Sequence, residues 1–312
     1  MNAHAITVQN VTKQYGDFTA VDNLSFEVWR GEIFSMLGPN GAGKTTTIRM
    51  ILDILKPDTG AINILGGPIS DTTKDRIGYL PEERGLYRNV PVIEVLTYLG
   101  SLKGVPRKEA QQRATDFLTR VGLEENIKSK VSELSKGMQQ KVQLIATFLH
   151  HPDLVIIDEP FSGLDPVNTQ LIKDLMYDMK DDGVTIVMST HQMHQVEAMA
   201  DRMLMIDHGQ PMLYGAVDEV RQRFAKNAII VEGEGHWDAL RGVTSVEPND
   251  NGRGALLHLA DGVTPDEVMA AMATGADYRV RRFELAVPSL NEIFIQVAGN
   301  GNGAANGAAN GR

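Results

Sequence analysis

Lys44 follows Gly38-Pro39-Asn40-Gly41-Ala42-Gly43 and precedes Thr45 and Thr46. Glycines at this spacing let the backbone take positive φ and come close to an anion, so the N–H groups of 38–45 can wrap around phosphate oxygens. Lys44 then places a point charge beside the β- and γ-phosphates, and the Thr45 hydroxyl offers a ligand to Mg²⁺. The spacing predicts a site for ATP or GTP.

A second constellation lies downstream. Leu154-Val155-Ile156-Ile157-Asp158-Glu159-Pro160 is an apolar run ending in two acids. Beside a phosphate loop, that arrangement sets Asp158 behind the Mg²⁺ water shell and lets Glu159 polarise the water that attacks the γ-phosphate. Taken alone, the same run also fits a buried strand meeting a solvated acidic turn; the upstream loop favours the chemical reading. Leu134-Ser135-Lys136-Gly137-Met138 precedes a helical pattern from about Gln139 to His150, so Ser135, the Gly137 N–H and the helix's positive end can point at an anion. These residues equally suit an ordinary capped helix start. Ser162-Gly163-Leu164-Asp165 and a lone His191, after the strand-like Val184–Met188, complete the set. A histidine there fits a structural role as readily as a catalytic one.

The elements that must hold these residues follow from periodicity. Ile33–Leu37 reads as a buried strand, and Thr46–Leu52 as a helix whose N-terminus faces the anion. Residues 1–226 alternate strand and helix signals, which predicts an α/β fold with a mostly parallel sheet covered on both faces. Ala5–Val8 and Leu24–Trp29 alternate as an N-terminal antiparallel β layer would, and helical patterns dominate a subdomain at about 91–150. From 227 to 298 the order is strand, short helix (His236–Arg241), two strands, helix, strand and helix, a small α+β domain of ferredoxin-like type. Leu256, Leu259, Val268, Val280, Phe283, Leu285, Ile293 and Phe294 are its expected core. Residues 299–312 repeat Gly, Asn and Ala and are expected to form a disordered tail.

Composition narrows the setting. The chain of 312 residues has length for about two domains. No cysteine is present, which excludes disulfides and thiolate metal sites and favours the cytosol. A formal charge of −10 argues against a broad nucleic-acid surface, so no nucleic-acid partner is expected. No apolar run approaches the roughly 20 residues that span a bilayer, and Met1–Ala5 lacks a signal-peptide pattern. Any membrane span must come from a partner.

Taken in order, Gly-Pro-Asn-Gly-Ala-Gly-Lys-Thr, Leu-Ser-Lys-Gly-Met-Gln, Ile-Ile-Asp-Glu-Pro, Ser-Gly-Leu-Asp and Ser-Thr-His resemble the P-loop ATPase of the ABC superfamily across 1–226. The resemblance implies that Tyr15 stacks on adenine with Val21 nearby and that His191 is a switch touching the γ-phosphate. It also implies that Ser162–Asp165 communicates across a dimer, with Asp165 beside nucleotide, and that Ser135 and Gly137 bind the ATP held by the opposite subunit. The implied unit is a head-to-tail homodimer around two ATP and Mg²⁺.

Two positions depart from the family pattern. Glu82 stands where a glutamine usually reaches Mg²⁺, still an oxygen ligand but a charged one. Lys136 and Met138 replace the commonest signature residues. With the run Glu82-Glu83-Arg84-Gly85-Leu86-Tyr87 and the closing Val287–Phe294, these variants resemble the ATP-binding subunits of two-component exporters of the sodium-efflux and drug-efflux branch. That implies a separate integral-membrane permease and a peripheral place on the cytoplasmic face of the membrane, with the surface around Glu82–Tyr87 and 91–130 as the coupling region. The rival readings are a soluble ABC clamp acting on ribosome or DNA, and a regulatory switch module.

Overall fold

The computed structural model describes residues 3–83, 85–248, 254–275 and 277–306, the last eight by backbone only. The chain divides into two compact units, Met1–Val217 and Asp218–Arg312.

The first unit contains β1 (His4–Tyr15), β2 (Phe18–Trp29), β3 (Ile33–Leu37), β4 (Thr59–Ile64), β5 (Ile77–Leu80), β6 (Leu154–Asp158), β7 (Thr185–Thr190), β8 (Arg202–Asp207) and β9 (Gln210–Ala216). They form two sheets. β2-β1-β4 is an antiparallel layer, and β5-β6-β7-β3-β8-β9 is parallel except for its last pair. β3, β6 and β7 are buried at every residue, as central strands covered on both faces must be.

Apolar side chains fill the two faces separately. Phe26 of the antiparallel layer stacks on Phe34 of β3 at 5.6 Å, in a core completed by Ile48 and Ile51 of the helix Lys44–Ile51. On the other face Ile157 and Met188 pack with Leu175 and Met176 of the helix Pro166–Asp181. The helical region has its own core, where Leu96, Leu118 and Ile145 join the helices Val92–Leu102, Arg107–Arg120 and Lys136–Phe148. Gly78 on β5 is required by close approach, since a Cβ there would lie 2.4 Å from the Thr147 carbonyl oxygen. That contact sets the helix Lys136–Phe148 directly against the sheet.

The second unit opens in the helix Val217–Arg223, ahead of the boundary at 226 expected from the pattern. Arg221 Nε donates to Pro288 O at 3.1 Å and ties this helix to the second unit, a contact that local periodicity does not reveal. β10 (Ala228–Glu234), β11 (Val243–Pro248), β12 (Ala255–Leu259) and β13 (Arg279–Leu285) form an antiparallel sheet in the order β11-β12-β10-β13. That is the ferredoxin-like order. The expected helix His236–Arg241 is a single 3₁₀ turn, Trp237–Ala239.

The core of this unit differs in detail from the expected one. Ile229, Val231, Leu257, Leu259, Val268 and Met272 are its buried centre, with Phe283 packed against them. Val280 and Leu285 are exposed because β13 is an edge strand, and Leu257 faces inward where Leu256 was expected. The helix that starts at Leu290 runs to Asn306, so backbone helix extends into the segment expected to be disordered; residues 307–312 lie outside the described residues.

Candidate functional site

The loop between β3 and the helix Lys44–Ile51 turns at two left-handed glycines, Gly41 (φ 82°) and Gly43 (φ 106°). Gly43 has a second constraint. A Cβ there would lie 2.5 Å from Ala20 O, so the loop passes against the antiparallel layer. Gly209 N donates to Ala42 O at 3.0 Å, and Asp22 N to Gly209 O at 2.9 Å. The phosphate loop is thus clamped from two sides before any ligand arrives.

Lys44 lies buried inside this loop, its Nζ donating to Gly38 O at 2.7 Å and Pro39 O at 3.1 Å. Burial pushes its ammonium below the usual lysine range, while the carboxylates of Glu159, Asp158 and Glu82 pull it back up. The helix it opens has no acidic residue in its first turn, so its exposed N–H end keeps a positive potential.

The acids converge on the same place from β6. Thr45 Oγ1 donates to Asp158 Oδ2 at 3.1 Å, and Ser189 Oγ donates to the other Asp158 oxygen. Glu159 takes a left-handed backbone, φ 53°, that costs roughly 1–3 kcal/mol in a non-glycine residue. Its N–H is held by Ser189 O at 3.0 Å, and its carboxylate meets His191 Nδ1 at 2.9 Å and the Thr190 hydroxyl at 3.4 Å. A strained, buried carboxylate fixed by a half-exposed histidine suits a base that must act at one atom.

A cleft of about 590 Å³ collects these groups. Asn40, Gly41, Ala42, Gly43, Lys44, Thr45 and Thr46 line it together with Glu82, Asp158, Glu159, Ser162 and His191, and Tyr15 lines it as well. Gly38 and Pro39 contribute through their carbonyls to Lys44. Val21 is not part of it. It is fully buried in the core beneath the antiparallel layer, and Ala20, one residue earlier and on the opposite face of β2, lines the cleft instead. Ser135, Gly137 and Asp165 do not line the cleft of this chain either. Ser135 caps the helix Lys136–Phe148 by accepting from Met138 N at 3.3 Å, and Asp165 caps Pro166–Asp181 through Asn168 N at 2.9 Å. The helix Lys136–Phe148 begins three residues before the expected Gln139, which places Gly137 in its first turn.

Residues that the pattern missed also enter the site. Ser189 and Thr190 supply hydroxyls to the two acids, and the Ser-Thr pair directly before His191 was the available signal. Phe18 also lines the cleft with Tyr15, and an aromatic residue two positions after Gly16 is the signal for it in the sequence. Arg84, within the run read as a coupling surface, lies outside the described residues.

The donor set fits a magnesium nucleotide. The Lys44 ammonium, the Thr45 hydroxyl and the N-terminus of the helix Lys44–Ile51 line the same cleft as the oxygen donors of Asp158 and Glu82, the kinds of group that an anionic nucleotide and a hard cation require. No group of three or more His, Cys, Asp or Glu among the described residues can hold a metal by itself. Mg²⁺ is in general held by one or two carboxylates, with water and phosphate oxygens completing its shell.

Comparison with known proteins gives the same picture. The family described as ABC transporter matches residues 21–162, and that described as ATP-binding protein DrrA1-3-like, C-terminal domain, matches 215–298. The ABC transporter ATP-binding protein YhaQ of Bacillus subtilis, itself uncharacterized, is 40% identical over 298 residues, covering 94% of this chain and 98% of that protein. The linearmycin resistance ATP-binding protein LnrL of the same organism is 36% identical, over 72% of this chain and 73% of its own length. A solved ATP-binding subunit of an ABC transporter superposes with a TM-score of 0.66 at 33% identity, covering 70% of this chain and 93% of that structure.

Proposed function

This chain belongs to the ATP-binding proteins of ABC transporters, and from that premise we propose that it binds Mg·ATP, dimerises head to tail and powers export through a separate integral-membrane permease. The observation that carries this reading is the Thr45–Asp158 and Glu159–His191 pairing across one cleft. Export is favoured because similar proteins include a linearmycin resistance and a Nod factor export ATP-binding protein.

The chemistry falls to named groups. Lys44 and the N-terminus of Lys44–Ile51 hold the β- and γ-phosphates and neutralise charge as it builds on the transferring phosphoryl group. Thr45, Asp158 and Glu82 would hold Mg²⁺, which would supply further stabilisation of the same charge. Glu159 accepts a proton from the water attacking the γ-phosphorus, and the bond to the bridging oxygen breaks to release ADP and phosphate. His191, bonded to Glu159, keeps the carboxylate aimed and senses the γ-phosphate. Tyr15 stacks on the base.

Ser135, Gly137 and Asp165 stand outside this cleft, which supports their action on the nucleotide of a second copy. Ser135→Arg should accordingly leave ATP binding to the monomer unchanged while abolishing hydrolysis. Mixed with Lys44→Ala, it should recover part of the activity, since one composite site then pairs an intact loop with an intact signature. Loss of monomer ATP binding in Ser135→Arg, measured by calorimetry, contradicts the in-trans role.

The permease reading rests on a surface one step from Glu82. Tyr79, Leu86, Leu99, Leu102, Gln143 and His150 line a groove of about 260 Å³, flanked by exposed Tyr87 and Tyr98 packed edge to face at 5.9 Å. Such an apolar patch, beside the cleft, suits a short helix from a membrane partner. Among the described residues no helix is long and apolar enough to cross a membrane, so the span is assigned to that partner, with this chain on its cytoplasmic face. Leu102 is exposed at the groove edge. Leu102→Glu should therefore prevent co-purification with the permease from detergent-solubilised membranes while leaving ATP affinity of the isolated chain unchanged; intact co-purification refutes this surface.

A further inference from the structure

β1 ends at Tyr15 and β2 begins at Phe18, joined by Gly16 (φ 58°) and Asp17. The two aromatic residues are direct partners across this hairpin. Directly opposed residues of an antiparallel pair project to the same face with Cβ atoms about 5 Å apart, so both side chains rise from one face of the hairpin, within the reach of a single base. Both line the nucleotide cleft. Phe18 is 62% exposed and Tyr15 47%, a large apolar area that nothing in the first unit covers at the lip of a polar site.

The platform is also braced. Lys13 Nζ sits 5.7 Å from the centre of the Tyr15 ring and is itself anchored by Asp58 Oδ1 at 2.8 Å. Asp58 Oδ2 accepts from Gln14 N at 2.7 Å. One face of Tyr15 thus carries a fixed cation, which restrains the ring and leaves its other face for a ligand. Ala20, two residues beyond Phe18 on the same face of β2, approaches Gly43 so closely that no Cβ fits between them. The strand that carries Phe18 therefore passes directly against the phosphate loop.

We propose that Phe18 is a second base-binding residue that, beside Tyr15, makes a two-ring platform selecting purine over pyrimidine nucleotides. The inference rests on the nucleotide reading given above and adds to it the base. A fused bicyclic base covers two adjacent rings, whereas a single-ring base covers one, and stacking on an aromatic side chain is worth about 1–3 kcal/mol per base. Exposure of both rings means that little is lost when the base is absent.

The test is calorimetric titration of the full chain with ATP, CTP and inorganic tripolyphosphate, each with Mg²⁺. Wild type should bind ATP more tightly than CTP, and CTP more tightly than tripolyphosphate. Phe18→Ala should weaken ATP about tenfold, narrow the ATP-to-CTP gap and hold tripolyphosphate within about twofold, the pattern of a lost stack. Phe18→Trp should restore ATP affinity. ATP binding by Phe18→Ala within about twofold of wild type, or an equal loss for tripolyphosphate, overturns the inference. Failure of wild type to bind either ATP or tripolyphosphate brings down the phosphate-loop reading and this inference with it.

Discussion

Glu159→Gln should hydrolyse ATP at least about a hundredfold more slowly than wild type, the scale of a lost general base, while binding ATP as tightly. The substitution keeps the size of the side chain and its hydrogen-bonding reach to His191 Nδ1 and Thr190 Oγ1. What it removes is the proton acceptor. Because the left-handed turn at Glu159 and the bond from its N–H to Ser189 O belong to the backbone, they survive the change. Steady-state phosphate release and ATP affinity, measured on the same preparation, separate the two effects. Near-wild-type turnover assigns the proton transfer elsewhere.

Lys44→Ala should abolish measurable nucleotide binding. A charge-assisted hydrogen bond contributes about 1.5–3 kcal/mol, and Lys44 makes such contacts to phosphate while also spanning the loop through Gly38 O and Pro39 O. Losing both the charge and the internal tie should lower affinity about a hundredfold or more. Burial already disfavours the ammonium, and the carboxylates of Glu159, Asp158 and Glu82 favour it, so the alanine variant should also alter the balance of repulsion among those acids. Thermal unfolding distinguishes a collapsed loop from a lost contact. A calorimetric titration of a folded Lys44→Ala variant that shows wild-type affinity refutes the phosphate-loop assignment.

The site was legible where covalent neighbours decide it. Gly41, Gly43 and Lys44 lie within one loop, and the acids at the end of β6 are announced by an apolar run, so both follow from local spacing. Val21 and Ala20 show the opposite case. Which of two adjacent strand residues faces the cleft depends on register, and β1 and β2 slip register between Val11 and Gln14, a feature with no signature in the residue types. The same limit explains the second unit. Val280 and Leu285 look like core residues by hydropathy, but β13 is an edge strand and only tertiary pairing says so. The order of strands was readable because turn residues bound each run; the 3₁₀ turn at Trp237–Ala239 was too short for periodicity to tell from a helix. Ser135 kept two readings, cap and phosphate ligand, and the structure shows the cap geometry that leaves the neighbouring Gly137 N–H in the first turn.

The central claim is that ATP joins two copies of this chain through composite sites, and one measurement tests it most directly. Sedimentation of Glu159→Gln with and without Mg·ATP should show a monomer converting to a two-chain species that carries two ATP, and the same experiment with Ser135→Arg added should show the monomer throughout. A Glu159→Gln chain that binds ATP at saturation and still sediments as a monomer contradicts the account.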